Sequence, residues 1–126
     1  MEKTIITTDS APAAIGPYSQ AVKAGPMVFF SGQIPLRADG SLVDGDIAVQ
    51  TEQVMKNLGA VLSAAGLDYA AVVKTTIYLT DLADFSVVND IYGEYFKHAP
   101  PARACVQVSA LPKGVDIEIE GIACCE

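Results

Sequence analysis

The apolar positions follow a helical period most clearly between residues 47 and 65. They fall on one face of a helix and are Ile47, Thr51, Val54, Met55, Leu58, Val61, Leu62 and Ala65. Asp46 is placed to cap the start of this helix, and Gly66 suits the turn after its end.

A second apolar stripe predicts a second helix near residue 90. Its members are Phe85, Val88, Ile91, Tyr92, Tyr95 and Phe96. Asp81 or Asp84 opens this helix, and Pro100 with Pro101 ends the element because proline cannot continue a helix.

Strand-like segments surround the two helices. Alternation and β-branched residues predict strands over residues 4–8, 19–24, 27–31, 72–80, 102–111 and 115–124. Gly25-Pro26 indicates a hairpin between the second and third strands, and residues 112–114 indicate a turn between the last two. Residues 32–46 are rich in glycine, aspartate and serine and are interpreted as a long loop.

The order βββαβαββ predicts an α+β two-layer domain over residues 1–126. Two amphipathic helices are too few to cover both faces of a six-stranded sheet, so they are expected to pack on one face. A chain of 126 residues fits one domain. The other sheet face must then be polar or must contact a partner.

Alternation in the last two strands predicts what that second face carries. The helix-facing set is expected to hold Ala104, Val106, Val108, Ile117 and Ile119. The opposite set is expected to hold Arg103, Cys105, Gln107, Ser109, Asp116, Glu118 and Glu120. A hairpin would therefore bring Arg103 and the glutamates onto the helix-free face, where they form either a solvated set of ion pairs or a site.

The charge balance argues against nucleic-acid binding. The chain has 8 lysines and arginines against 15 aspartates and glutamates, a net charge of −7. Nucleic-acid binding needs a cluster of basic residues, and the basic residues here are scattered. Residues 1–6 resemble no signal peptide, and no apolar stretch reaches the ~20 residues of a membrane span. A cytoplasmic protein that binds neither nucleic acid nor membrane is expected.

Cysteine and histidine usage favours neither disulfides nor a metal site. The 3 cysteines are odd in number and Cys124 adjoins Cys125, which suits reduced thiols. With 1 histidine, His98, and no C-x-x-C pair, no metal is expected. A Cys105–His98 nucleophile pair is a weak alternative.

Arg103 is the residue whose setting most suggests a ligand. It follows Pro100 and Pro101, which stiffen the entry to its strand. A guanidinium binds a carboxylate through two parallel hydrogen bonds. The structural alternative is an ion pair with Glu118 or Glu120, which would also keep that glutamate ionised.

Six segments in order resemble the RidA (YjgF) family of reactive-intermediate deaminases. They are residues 14–20 (AIGPYSQ), 31–35 (SGQIP), 73–76 (VKTT), 84–89 (DFSVVN), 101–106 (PARACV) and 111–120 (LPKGVDIEIE). The resemblance runs nearly from end to end. Residues 96–103 depart from it, because some relatives carry a longer segment there.

The resemblance implies a chorismate mutase-like fold and a homotrimer. The sheets of three subunits would form a central barrel with the helices outside, and three clefts would lie between subunits. The implied activity is the hydrolysis of enamines and imines such as 2-aminoacrylate to 2-oxo acids and ammonia, as in 2-iminobutanoate/2-iminopropanoate deaminase. No cofactor or metal is implied.

The resemblance also assigns roles to individual residues. Arg103 would hold the substrate carboxylate, and Glu118 would position or activate water. The cleft-lining residues would be Tyr18, Ser31, Gly32, Asn89 and Cys105, the last mainly through its backbone. The choice of Glu118 over Glu120 rests on the motif, since both share one parity.

Structural alternatives stay open for several of these residues. Tyr18 would serve packing alone, Asn89 would be a helix-surface residue, and Ser31-Gly32 would be a strand end. For the whole protein, the alternative is a non-catalytic module that binds 2-oxo acids or other small metabolites in the same clefts.

Overall fold

Six strands and two main helices make up the computed structural model, which describes residues 2–125. The strands are β1 Lys3–Ile6, β2 Ala21–Ala24, β3 Met27–Gln33, β4 Val72–Leu79, β5 Ala102–Gln107 and β6 Ile117–Cys124. Helix α1 is Ile47–Ala64 and helix α2 is Phe85–Tyr95. The predicted order βββαβαββ is confirmed.

The strands form one open mixed sheet in the order β1-β2-β3-β6-β4-β5. All neighbouring strands are antiparallel except β4 and β5, which are parallel. The β2–β3 hairpin turns at Gly25, whose φ of 60° lies in the left-handed region that glycine adopts readily. No helix within residues 2–125 is long and apolar enough to cross a membrane.

Helix α1 buries the face that its apolar period predicts. Val54, Met55, Leu58, Val61 and Leu62 lie in the core. The Asp46 carboxylate accepts a hydrogen bond from the Val49 amide at 3.0 Å, so the predicted cap is confirmed. Gly66 has a φ of 77°, as expected for the turn that ends the helix.

The start of α2 divides the predicted capping between two aspartates. Asp81 caps a short 3₁₀ turn over Leu82–Asp84, where its carboxylate accepts from the Ala83 amide at 2.9 Å. Asp84 occupies the position before α2 and makes no side-chain capping bond.

The predicted hairpin between the last two strands is wrong. β4 lies between β5 and β6 and pairs with both. The crossover through α2 returns the chain parallel to β4 at the sheet edge, and the chain then crosses the end of β4 to enter β6. That crossing uses residues 108–116, so β5 ends at Gln107 rather than at residue 111.

The predicted facing of β5 is wrong as well. Arg103 is paired with Thr75 and Cys105 with Ile77, and both β4 partners are fully buried beneath the helices. Arg103 and Cys105 therefore face the helices, whereas Ala104, Val106 and their strand neighbours of the same parity face away. The prediction for β6 is confirmed, since Ile117 and Ile119 are buried and Glu118 and Glu120 lie on the other face.

The helix-free face carries an apolar row as well as polar groups. Ile5, Val22, Phe29 and Ile122 are register partners across β1, β2, β3 and β6. Ile5 is 51% exposed, Phe29 46% and Val106, farther along this face, 42%. Apolar exposure of this extent on one face is typical of a surface that contacts another chain.

Candidate active site

One cleft surrounds Glu118 on the helix-free side of the sheet. This glutamate cleft is lined by Tyr18, Ser31, Gly32, Glu118 and Glu120, with Lys113 at the turn before β6. Its volume is about 540 Å³, large enough for a small metabolite. The apolar part of its lining comes from Pro12, Ala13, Ile15, Ile34, Leu36 and Pro112.

A β-bulge brings Ser31 and Gly32 to this cleft. Phe30 pairs with Gly121 and Gln33 with Ile119, so two β3 residues lie opposite Glu120 alone. The Glu118 carboxylate packs directly against Gly32, where any Cβ would overlap it. A larger residue at position 32 would therefore displace the Glu118 carboxylate from this place in the cleft.

The residues before β3 form the opposite wall of the glutamate cleft. The Ser31 hydroxyl donates to the Ser19 carbonyl at 2.6 Å, and the Ser31 amide donates to the Gln20 carbonyl at 2.9 Å. Buried Gln20 in turn donates from Nε2 to the Pro12 carbonyl at 2.8 Å. These bonds hold the segment that presents Tyr18, which is 54% exposed, at the mouth of the cleft.

The two glutamates of the cleft differ in environment. Glu118 is half-buried, and burial together with the nearby Glu120 raises the pKa of its carboxyl. Glu120 is exposed and accepts a hydrogen bond from the Tyr78 hydroxyl at 3.0 Å. The raised pKa makes the Glu118 carboxylate a stronger proton acceptor than an ordinary glutamate when it is ionised.

A second cleft surrounds Arg103 on the helix side of the sheet. This arginine cleft is lined by Asn89, Tyr92, Phe96, Pro101 and Arg103, and its volume is about 420 Å³. The Arg103 Nη1 donates to the Asn89 Oδ1 at 2.8 Å. One donor of the guanidinium thus fixes its direction, and a guanidinium has five donors in all.

Two aromatic rings of α2 lie beneath the guanidinium. The Arg103 Cζ is 5.4 Å from the centroid of the Phe85 ring and 5.1 Å from that of Tyr92. Both distances fall within the range of a cation–π contact. The Tyr92 hydroxyl lies 2.6 Å from the Thr75 Oγ1, and both residues are buried. The sequence predicts Phe85 and Tyr92 only as members of the apolar stripe of α2 and gives them no contact with Arg103. Their place in that stripe, facing the sheet, is the one signal of this contact.

Arg103 and Glu118 therefore do not meet within one chain. The structure brings Tyr18, Ser31 and Gly32 together with Glu118 on one face, and Asn89 together with Arg103 on the other. The prediction that Arg103 shares a face with the glutamates is wrong, because it assigned the apolar residues of β5 to the helix side. An ion pair across a β5–β6 hairpin is excluded by the same arrangement.

The cysteine and histidine of the alternative nucleophile pair lie in different surroundings. Cys105 packs against the core, and burial raises the pKa of its thiol. His98 is exposed beside Tyr69 and Lys97 at a small surface pocket. In residues 2–125, no group of three or more histidine, cysteine, aspartate or glutamate side chains is arranged to hold a metal ion.

Comparison with known proteins identifies relatives over nearly the whole chain. The family model described as Endoribonuclease L-PSP matches residues 8–125. Protein DfrA of Myxococcus xanthus is 60% identical over 126 residues, which cover 98% of this chain and 96% of that protein. The human 2-iminobutanoate/2-iminopropanoate deaminase is 52% identical over 122 residues, 96% of this chain and 89% of the human protein.

Solved structures agree with these sequence relatives. The crystal structure of a Rid family protein from Yersinia pestis superposes with a TM-score of 0.96 at 53% identity, covering 98% of this chain and 99% of that one. Fold, motifs and near-complete coverage agree, so the chain belongs to the RidA (YjgF) family, whose family model is described as Endoribonuclease L-PSP.

Proposed function

We propose that this protein hydrolyses reactive enamine and imine intermediates, such as 2-aminoacrylate and 2-iminobutanoate, to 2-oxo acids and ammonia. The reaction takes place where the arginine cleft of one subunit meets the glutamate cleft of the next, in a homotrimer. Two relatives that are 53% and 52% identical in sequence and are named as deaminases support the reaction class.

One observation carries the two-subunit site: Arg103 and Glu118 lie on opposite faces of one sheet. Each residue lines its own open cleft, and neither cleft alone holds both the Arg103 guanidinium and a glutamate carboxylate. A head-to-tail contact between identical chains joins unlike surfaces, and a rotation of one third of a turn per contact closes such chains into a ring of three. The exposed apolar row on the helix-free face supplies area for such a contact.

Arg103 anchors the substrate carboxylate in this mechanism. Asn89 occupies one donor, and the remaining guanidinium donors form two parallel hydrogen bonds to the carboxylate oxygens. The chain has a net charge of −7, which repels an anionic substrate, so the local attraction comes from this side chain.

Glu118 handles the proton of the attacking water. The enamine first takes a proton from solvent at carbon and becomes the iminium ion, and an imine enters the same path by protonation at nitrogen. Water then attacks the iminium carbon as one of its protons passes to the Glu118 carboxylate, which forms a carbinolamine. That proton is passed on to the nitrogen, and as the C–N bond breaks the Glu118 carboxylate takes the hydroxyl proton. Ammonia and the 2-oxo acid leave, and Glu118 returns its proton to solvent, which balances the proton taken up at the start. General acid–base catalysis contributes about 10²–10⁴-fold, which suffices for a reaction that is already fast in water.

The decay of an imine generated in the assay tests this proposal. L-amino-acid oxidase or a threonine dehydratase generates 2-iminobutanoate, and semicarbazide trapping follows its decay with and without the protein. The wild type is expected to speed the decay, and Arg103→Ala is expected to lose at least about 100-fold of kcat/KM, since a charged bidentate contact is removed. Arg37→Ala, at the other arginine of the chain, is the matched control and should keep its rate.

Two results would contradict the proposal. A folded Arg103→Ala variant with most of its rate would refute the carboxylate anchor. A wild type that binds 2-oxobutanoate but leaves imine decay unchanged would identify a binding module instead.

A further inference from the structure

The Arg103 guanidinium lies over two buried residues, Tyr92 of α2 and Thr75 of β4, which contact each other. The guanidinium contacts the ring of Tyr92, and the hydroxyl at the far end of that ring meets Thr75 at 2.6 Å. Thr75 is the register partner of Arg103 on the neighbouring strand. The three residues thus form a closed set of contacts. Arg103 contacts the Tyr92 ring, the Tyr92 hydroxyl contacts Thr75, and Thr75 pairs with Arg103 in the sheet.

We propose that the buried Thr75–Tyr92 hydroxyl pair is a positioning device for Arg103. It fixes the Tyr92 ring beneath the guanidinium, so that the donors not used by Asn89 point into the arginine cleft. The effect on turnover rests on the proposed function, in which Arg103 binds the substrate carboxylate. Phe85 supports the guanidinium from a second ring at 5.4 Å.

The burial of the pair indicates that its geometry is tightly held. Thr75 is 0% exposed and Tyr92 is 4% exposed. A buried hydroxyl without a partner is costly, so each hydroxyl holds the other in place. Phe96 packs on the Tyr92 ring at a centroid distance of 4.7 Å and limits its motion further. Asn89, one turn before Tyr92 on the same helix, then sets the in-plane direction of the guanidinium.

The geometry has a direct spectroscopic readout, because the chain contains two arginines. In protein labelled with ¹⁵N-arginine, the Arg103 Nε–H resonance is expected to carry a ring-current shift from Tyr92 and Phe85. Arg37, whose Nη1 donates to the Leu42 carbonyl at 3.0 Å in the loop after β3, serves as internal reference. Tyr92→Leu should move the Arg103 resonance toward that of a solvated arginine and leave Arg37 unchanged.

The functional consequence is expected in substrate binding rather than in the chemical step. Loss of the ring in Tyr92→Leu should raise KM for the imine and Kd for 2-oxobutanoate roughly three- to thirty-fold, with kcat nearly unchanged. Tyr92→Phe and Thr75→Val keep the volume and remove one hydroxyl each, and each should raise the same constants roughly two- to fivefold. The double variant should have a Kd no higher than that of either single variant, because each single change already removes the same hydrogen bond.

Matched variants distinguish positioning from a general loss of structure. Thr75→Ser keeps the hydroxyl that Thr75→Val removes, and it should keep the wild-type Kd. Tyr95→Leu removes a tyrosine from the same helix whose hydroxyl donates instead to Glu52 at 2.6 Å, and it should leave Kd and the Arg103 resonance unchanged.

Three outcomes decide the proposal. An unshifted Arg103 resonance and unchanged Kd in folded Tyr92→Leu would overturn it. A shifted resonance with Kd raised in Tyr92→Leu and Thr75→Val would support it. If the wild type leaves imine decay unchanged while these shifts in resonance and Kd are still seen, the deaminase proposal fails and the positioning role stands.

Discussion

At the scale of residues, Glu118 combines two features that oppose its ionisation. It is half-buried against Gly32, and Glu120 adds a second negative charge on the same face. Both features raise the pKa of the Glu118 carboxyl, with burial the larger cause. A carboxylate kept in such a setting is typical of a proton acceptor rather than of a surface charge.

The pH dependence of turnover should report this carboxyl. The base works only when ionised, so kcat/KM is expected to fall as pH falls through the raised pKa of Glu118. Glu120→Gln removes the neighbouring charge, which lowers that pKa and moves the acid limb of the profile to lower pH. Glu94→Gln, the same change on the exposed side of α2, should leave the limb in place. An acid limb that persists in Glu118→Gln would contradict the assignment.

The same pKa shift predicts the sign of a stability change. The folded protein binds a proton at Glu118 more readily than the unfolded chain does, so ionised Glu118 destabilises the fold as pH rises past its ordinary carboxyl value. Glu118→Gln is therefore expected to lower turnover about 10²–10⁴-fold and to raise the melting temperature at pH 7. Thermal denaturation at pH 7 and at pH 4 checks this, because the difference should shrink at the lower pH.

Arg103 shows where sequence reasoning about single residues ends. Alternation correctly predicted that Arg103 and Ala104 lie on opposite faces of β5, but it cannot say which face carries the helices. The usual criterion, apolar residues toward the helices, gives the wrong answer because Val106 is exposed on the helix-free face. On β6 the same criterion succeeds, since Ile117 and Ile119 are larger and lie in a central strand.

At the scale of elements, the predicted helices and strands were largely confirmed, but their long-range pairing was not. Helix periods and caps are local, so Asp46 and the stripe of α1 could be predicted from adjacent residues. The β-bulge at Ser31-Gly32 and the placement of β4 between β5 and β6 depend on contacts far apart in the chain. A turn signal at residues 112–114 therefore suggested a hairpin that the sheet order excludes.

Buried polar residues of α1 illustrate the same limit. Gln50 and Asn57 are 6% and 1% exposed, although they interrupt the apolar stripe. The Gln50 Nε2 donates to the Asp116 Oδ2 at 2.8 Å, and its Oε1 accepts from the Asp116 amide at 3.0 Å. These bonds tie the first turn of α1 to the residue before β6, two positions from Glu118.

Removal of this link should cost stability. Gln50→Met keeps the side-chain length but leaves the Asp116 groups without these partners, so we expect a loss of about 1–3 kcal/mol in the free energy of unfolding. Gln53→Met, a half-buried position on the same helix whose amide bonds to Asn57 in the next turn, is the control and should cost less. Urea denaturation measures both, and an unchanged midpoint for Gln50→Met would show that the link adds nothing to stability.

At the scale of the whole molecule, each face of the sheet carries one of the two clefts and lacks the charged group of the other. The helix side carries Arg103, and the helix-free side carries Glu118, Glu120 and the apolar row with exposed Ile5 and Phe29. A single chain would leave that row in water, and a ring of identical chains would cover it while joining each arginine cleft to a neighbouring glutamate cleft. Stability and catalysis would then depend on the same assembly.

Mixing two inactive variants tests this dependence directly. Arg103→Ala keeps the glutamate cleft intact but lacks the guanidinium, and Glu118→Gln keeps the arginine cleft intact but lacks the carboxylate. Each variant is therefore expected to be inactive on its own. When the two are unfolded together in equal amounts and refolded, one in four subunit contacts pairs an intact Arg103 with an intact Glu118. The mixture should therefore recover roughly a quarter of the wild-type rate in a head-to-tail ring.

Controls show whether the activity of the mixture comes from sites shared between two chains or only from better refolding. Each variant refolded alone should stay inactive, and the Arg103→Ala/Glu118→Gln double variant refolded with wild type should add no activity beyond that of wild-type pairs. Sedimentation analysis of the refolded species should give the mass of three chains. If both residues instead served one subunit's site, every subunit in the mixture would lack one of them and no activity would return. That result, obtained with intact trimers, would refute a site built from the two opposite faces of the sheet.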